Sequence, residues 1–307
     1  MKRLLAHGAV LALTALLAGC SVVPLVGRRR VNMVSDQQVL ALAASEYEKF
    51  KQTVPLSANA EAAERVTRVG RRIAAATEQY LTNAGLPGEA AKFQWEFYLF
   101  KDSQVNAWCM PGGKIAVFEG ILPMVPTDDD LATVLSHEVA HAMAKHANER
   151  MSQQQLRNLG GQILGNVLGR SFGSAGRTIG TIAYSAGMKY LVDLPYSRNH
   201  EYEADKIGLY LMAMAGYDYT KAVGFWTRMA NRSGANTGSS FMSTHPNNLE
   251  RIKAIEAELP LVRTFIAGGG SAKGAPAPVP ERNRQAVTTT ETPKTPAKGS
   301  VPLQTHY

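Results

Sequence analysis

His137-Glu138-Val139-Ala140-His141 constrains this 307-residue chain more than any other stretch. Two histidines four positions apart can share a target only if the backbone between them is helical. Four residues carry a helix slightly past one full turn and return both imidazoles to one face. Glu138 lies one step round that helix, beside the histidines. H-E-x-x-H on a helix is the first half of a zinc hydrolase site, with the glutamate free to act on water. The motif therefore demands a helix here and a third ligand from elsewhere in the chain.

The flanking sequence supplies the helix. Pro126-Thr127-Asp128-Asp129-Asp130 reads as a cap and an acidic first turn, with Thr127 and Asp130 spaced as a capping box before the apolar run Leu131-Ala132-Thr133-Val134-Leu135. Lys145, His146 and Arg150 fall toward the far end, where positive charge suits the helix dipole. His146 is five residues past His141 and off the ligand face, so it is expected to be an ordinary polar helix residue.

Upstream, Ser35-Asp36-Gln37-Gln38 starts a helix that continues to about Phe50, and a second helix is expected from Ala60 to Leu81 with Val66, Val69 and Ile73 on one side. Phe93, Trp95, Phe97 and Leu99 alternate with Gln94, Glu96 and Tyr98, the period of a half-buried strand. Residues 104–109 and 114–118 flank Met110-Pro111-Gly112-Gly113, which predicts a hairpin or tight strand connection. The expected fold class is α+β: mostly helical, with a small β-sheet next to the H-E-x-x-H helix. A strand through Asn106, Ala107 and Trp108, exposed beside a metal, is placed to hold an extended peptide by backbone pairing.

A catalytic zinc needs a third protein ligand and one position left for water. Ser197 to Asp205 offers the best candidate, on a helix continuing through Leu209 and Leu211 to Gly216. Glu201 and Asp205 are four apart and share a face, while Glu203 points elsewhere. Glu201 is thus the expected third ligand, and Asp205 the acceptor for the outer N–H of a ligand histidine.

The two ends read differently from the middle. Met1-Lys2-Arg3, the apolar run Leu4 to Leu16 and the small residues Leu17-Ala18-Gly19 before Cys20 make an export signal, too short to favour a membrane-spanning helix. Leu17-Ala18-Gly19-Cys20 also resembles the bacterial lipobox, which implies cleavage before Cys20, lipidation of its sulfur and, with Ser21 following, the outer membrane. The expected organisation is a signal peptide over 1–19, a lipid-anchored linker over 20–34, a metallopeptidase domain over 35–265 and a disordered Pro/Gly/Thr-rich tail over 266–307.

With Cys20 lipidated, Cys109 has no disulfide partner and reads as a buried structural thiol. The net charge of +8 is partly local to Arg28-Arg29-Arg30, a cluster better explained by membrane-surface attraction than by nucleic acid, for which no basic and aromatic interleaving exists. Between Met151 and Gly187 the glycine-rich sequence leaves two readings open, a loosened lid and an amphipathic connector.

Taken together, Asn106-Ala107-Trp108 with Pro111-Gly112-Gly113, His137 to His141, Ser197-Arg198 with Glu201 to Asp205, and Ser243-Thr244-His245-Pro246 followed by Arg251-Ile252 resemble the HtpX, Oma and CAAX-prenyl-protease-related zinc metallopeptidases of the gluzincin group. The resemblance runs from about Asn106 to Ile252, roughly half the chain, and is nearest the periplasmic lipoprotein branch of that family. It implies one Zn2+ per chain held by His137, His141 and Glu201, with Glu138 as base. It also implies that His245 lies near the metal, binding it in a resting state or steadying the oxyanion. For Arg198 it leaves two roles open, oxyanion partner or brace for Glu201.

The implied activity is a zinc metalloendopeptidase acting on unfolded or misassembled envelope proteins from the periplasmic face of the outer membrane, with the membrane contacted through the N-terminal lipid. A client-binding chaperone or assembly lipoprotein with gated or rare proteolysis is the alternative, and a purely structural envelope lipoprotein would require the absence of zinc.

Overall fold

In the computed structural model the described residues are 20–155, 197–233, 240–245 and 249–270. They fall within one compact unit of the chain. The glycine-rich stretch beyond residue 155, the expected signal peptide over 1–19 and the expected tail beyond residue 270 lie outside them.

The centre is a three-stranded sheet covered on both faces by helices. Strand β3 (Glu96–Phe100) pairs parallel with β5 (Lys114–Phe118), and β4 (Ala107–Met110) pairs antiparallel with β5, giving the order β3-β5-β4 with β4 at an edge. The strand expected to start near Phe93 begins at Glu96, and the expected hairpin is present. Its turn rests on Gly112 and Gly113, both at positive φ (86° and 84°), a conformation L side chains rarely adopt.

Because strand side chains alternate, the sheet serves two separate cores. Phe100, Trp108, Met110, Ala116 and Phe118 face helix α1 (Asp36–Thr53), against its buried Val39, Ala43 and Tyr47. Leu99, Ala107, Cys109, Ile115 and Val117 face the other way, into the main core with Val66, Val69 and Ile73 of α2 (Ala60–Asn83). A short helix α3 (Pro87–Ala90) follows α2. A small hairpin, β1 (Cys20–Val22) with β2 (Arg29–Val31), precedes α1, and its loop buries Val23 and Leu25 in the main core.

Helix α4 (Asp128–Met143) carries the H-E-x-x-H motif. The expected capping box is formed: Thr127 Oγ1 accepts from the Asp130 amide at 3.1 Å, and the Asp130 carboxylate accepts from the Thr127 amide at 3.3 Å. Every residue from Asp130 to Met143 is buried. An all-round buried helix must be covered on every side, and α4 is packed by α2, by β4, by α6 (Arg198–Met214) and by α7 (Lys221–Ser233). The helix stops at Ala144, and Lys145 sits in the left-handed region at φ 53°. A new helix, α5, starts at residue 146 and is helical through 155. A short helix α8 (Ser240–Thr244) and the long α9 (Leu249–Ala267) complete the order, α9 packing on α6 and α7. Among the described residues no helix is long and apolar enough to cross a membrane.

The α4–α6 crossing is close because Gly208 has no side chain. A Cβ there would lie 3.2 Å from the His137 amide nitrogen and 3.2 Å from Ser136 Oγ. Gly208→Val is therefore expected to force the two helices apart and cost about 1–3 kcal/mol. Gly224→Ala, at an exposed position in α7 whose nearest neighbour is Arg228 at 3.5 Å, is expected to stabilise by up to about 1 kcal/mol. Urea unfolding of the two variants checks the opposite signs.

Candidate metal centre

His137 and His141 share one face of α4 as the spacing required, with their Nε2 atoms 3.1 Å apart. Helix α6 brings Glu201 to them: Oε2 lies 3.5 Å from His137 Nε2 and Oε1 lies 3.4 Å from His141 Nε2. His245, just past α8, adds Nδ1 at 3.3 Å from His137 Nε2 and 3.2 Å from Glu201 Oε1. One donor atom from each of the four residues falls within 4.8 Å of all the others, and all four residues are buried.

The chemistry of this donor set fits a divalent cation. Three imidazole nitrogens and a carboxylate converge by their lone pairs, and each neutral imidazole carries a single N–H. For His137 that N–H is drawn to the opposite ring nitrogen, since Nδ1 lies 3.0 Å from Asp205 Oδ1. Nitrogen, nitrogen and carboxylate oxygen are the ligand atoms of hydrolytic zinc sites.

Glu138 stands beside the cluster, completely buried. Burial pushes its carboxyl above the usual range, against the opposing pull of His245, His137 and the Cys109 backbone amide. Among the described residues its Oε1 has no hydrogen-bond partner, and it lies 3.3 Å from His245 Nε2. A carboxyl raised in this way holds a proton more readily than an exposed one, which suits a group that must take a proton and return it.

Each of the two α4 histidines is backed differently. Behind His137, Asp205 occupies the position expected from its spacing. Arg251, on α9, clasps Asp205 through Nε and Nη2 at 2.8 Å each and reaches Glu201 Oε2 through Nη1 at 2.8 Å. The Arg251 guanidinium lies 4.2 Å from the Trp226 ring, which in turn contacts His137 at 5.1 Å. Burial opposes a proton on His137, but Asp205 and Glu201 outweigh it and lift its pKa to about 9. Burial acts in the opposite direction on Asp205, favouring a proton there, but Arg251 and His137 outweigh it and hold the carboxyl below its ordinary value.

Behind His141 the arrangement was not foreseen. His146 is fully buried, and its Nδ1 is 2.7 Å from His141 Nδ1. On one unbroken helix His146 would lie off the face that carries His137 and His141. The left-handed turn at Lys145 ends α4 and swings His146 back under His141. Glu203, expected to point away from the site, accepts from the other side of His146 at 2.8 Å. Arg28 ties Glu203 to Glu149, with Nη2 at 2.7 Å from each, and His200 contacts Glu149 at 3.2 Å. Burial and the neighbouring imidazoles hold His141 well below its ordinary pKa.

This network also corrects the reading of Arg28-Arg29-Arg30 as a membrane-facing cluster. Arg28 is committed to Glu149 and Glu203, and buried Arg30 donates to Ser21 Oγ and to the Ala144 carbonyl. Arg29 alone of the three is exposed.

The remaining expected residues are placed as follows. Arg198 is exposed on the first turn of α6, and the guanidinium that reaches Glu201 is that of Arg251. Asn106 is buried and accepts from the Ala107 amide, while Trp108 turns its ring away from the metal centre to meet Phe50 at 5.0 Å. The Val105 carbonyl accepts from the Phe241 amide at 3.1 Å, tying the start of β4 to the segment that carries His245. Cys109 is buried, and burial pushes its thiol pKa up. Cys20 opens β1 opposite Val31.

H-E-x-x-H on a buried helix, completed by a glutamate from a second helix, is the metal-binding core of a metallopeptidase. Comparison with known proteins narrows this further. The chain belongs to peptidase family M48, whose model matches residues 63–259. It is 38% identical over 168 residues to the mitochondrial metalloendopeptidase OMA1 of Schizosaccharomyces pombe, covering 54% of this chain and 47% of that protein. It is 28% identical over 241 residues to the human mitochondrial metalloendopeptidase OMA1, covering 77% and 45%. To the putative beta-barrel assembly-enhancing protease of Vibrio cholerae it is 28% identical over 183 residues, covering 57% and 37%. The chain spans about half the length of these relatives or less.

Arg251 is the counter-ion for two buried carboxylates, so removing it strands both. Arg251→Met is expected to destabilise the metal-free protein by about 3–5 kcal/mol. Arg198→Met, at an exposed position, should stay within about 0.5 kcal/mol of wild type. Chemical denaturation of both variants in a chelator checks which arginine braces Glu201.

Proposed function

We propose that the chain is a zinc-dependent endopeptidase of the bacterial cell envelope that hydrolyses peptide bonds of unfolded or misassembled proteins, with one zinc held by His137, His141 and Glu201. The observation that carries this reading is the convergence of those three side chains, with Glu138 buried beside them. Zinc bound there would supply Lewis acidity, polarising a scissile carbonyl and making water acidic near neutral pH. Glu138 would take the proton of the attacking water and deliver it to the leaving amine, which its raised pKa suits. Asp205 would hold the His137 ring in the tautomer whose Nε2 lone pair is free for metal.

The envelope location rests on the Leu4–Cys20 leader, read as a lipoprotein signal that places the mature chain at the periplasmic face of the outer membrane. The name of the Vibrio cholerae relative, an assembly-enhancing protease, supports misassembled envelope proteins as substrates.

A second reading, in which proteolysis is gated and client binding dominates, is favoured by one observation. His245 places Nδ1 among the metal donors and Nε2 3.3 Å from Glu138, so the same ring contacts both the ligand set and the base.

Two outcomes test these readings. Glu138→Gln is expected to bind zinc like wild type while cleavage of unfolded casein falls by about 10²–10⁴-fold; near-normal cleavage would sink the mechanism. His245→Ala is expected to keep its zinc and to cleave casein faster than wild type, by steady-state assay. A slower variant would instead make His245 a helper of the reaction.

A further inference from the structure

We propose that the N-terminal arm, residues 20–31, is a working part of the metal centre, with Arg28 acting through Glu203 and His146 as a positioning residue for the ligand His141. This rests on the zinc reading above. His141 directs Nε2 to the donor cluster, 3.1 Å from His137 Nε2 and 3.4 Å from Glu201 Oε1, so its Nδ1 is the outward nitrogen. That atom meets His146 Nδ1 at 2.7 Å, and His146 Nε2 meets Glu203 Oε2 at 2.8 Å. Two imidazoles and a carboxylate in series admit one consistent set of protons for a metal-binding His141. Its Nδ1–H donates to His146 Nδ1, and the His146 Nε2–H donates to Glu203.

The carboxylate that ends this series needs a fixed cation, and Arg28 supplies it. Its Nε and Nη2 donate to Glu203 at 3.0 and 2.7 Å, while Nη1 and Nη2 donate to Glu149 at 2.9 and 2.7 Å. Glu149 in turn contacts His200, whose ring stacks on His146 at 4.2 Å, so the series is held from its side as well as its end. The ladder repeats the one behind His137, where Asp205 is clasped by Arg251. One imidazole is inserted in it, and its cation comes from 175 residues away in sequence.

The arm is built to present that cation rigidly. Val23 and Leu25 are buried in the main core, the Leu25 amide donates to Tyr80 Oη at 3.1 Å, and the Val23 amide donates to the Arg28 carbonyl at 2.8 Å. Arg28 therefore sits eight residues from Cys20 at one end of the series and His141 at the other.

The test measures zinc affinity by chelator competition and the visible spectrum of the Co2+-substituted protein, on wild type, Arg28→Met, Arg28→Lys and Glu203→Gln. Arg65→Met is the control for simple loss of stability, because Arg65 pairs with Asp128 at the start of α4, outside the series. Arg28→Met and Glu203→Gln are expected to weaken zinc about 10–100-fold and to alter the Co2+ spectrum. Arg28→Lys should recover only part of the affinity, since an ammonium cannot fork between two carboxylates as a guanidinium does. Arg65→Met should lower stability with zinc affinity unchanged. Zinc affinity and Co2+ spectra unchanged in Glu203→Gln and in whichever Arg28 variants fold would overturn this inference alone. Failure of the wild-type chain to bind zinc would overturn the proposed function and this inference with it.

Discussion

A helix buried on every side that carries two imidazoles and a carboxylate can persist only if other elements bring charge to meet it. An uncompensated buried ion costs several kcal/mol, against a net stability of about 5–15 kcal/mol for a whole domain. Helix α4 poses this demand and α6 answers first, with Glu201, Glu203 and Asp205 directed inward. Those carboxylates then need cations of their own. Arg251 comes from α9 for Glu201 and Asp205, and Arg28 comes from the β1–β2 hairpin for Glu203. The first and last described elements of the chain are thus pinned to the same central helix, α6, by the electrostatics of one site.

The two ladders leave the two histidines unequal. His137 is backed directly by a carboxylate, and its pKa rises to about 9 despite full burial. His141 is backed by a second imidazole, and burial among its like neighbours keeps its pKa low. His146 is itself held down to about 4 by burial, although Glu203 pulls the other way. A neutral His146 is what the series requires, since a charged ring would have no lone pair to accept from His141. The burial that looks costly therefore keeps the inserted ring in its accepting state.

What could be read from the sequence was whatever depends on short spacing. The i, i+4 rule placed His137 with His141 and Glu201 with Asp205, and the capping box at Thr127 and Asp130 is present as expected. Period-two alternation found the sheet, and the Pro111-Gly112-Gly113 run found its turn. The misses share one cause. A left-handed Lys145 carries no glycine to announce it, and without that turn the position of His146 cannot be deduced. Arg28, Arg251 and Glu149 meet their partners across 46 to 175 residues, where no local periodicity operates. The triple-arginine run read as one surface cluster because charge runs usually are, whereas two of its three members are drawn inward by a buried anion or an open helix end.

Strand β4, expected to be exposed, is buried along its whole length, and its outer edge shows how the same centre manages backbone groups that no neighbouring strand pairs. In the antiparallel register with β5, Asn106 pairs with Phe118, so the alternate residues Val105, Ala107 and Cys109 turn their backbone groups outward. An unpaired edge of that kind is a template for any extended chain. Here the molecule engages it from within. The Val105 carbonyl accepts from Phe241, the Ala107 amide donates to Asn106 Oδ1, and the Cys109 amide favours the charged form of Glu138. An extended peptide that pairs with this edge must exchange bonds with these groups instead of meeting open ones. Two of them belong to the site itself, the base Glu138 and the segment bearing His245. Backbone pairing at β4 and the arrangement of the metal centre are therefore one hydrogen-bonding problem.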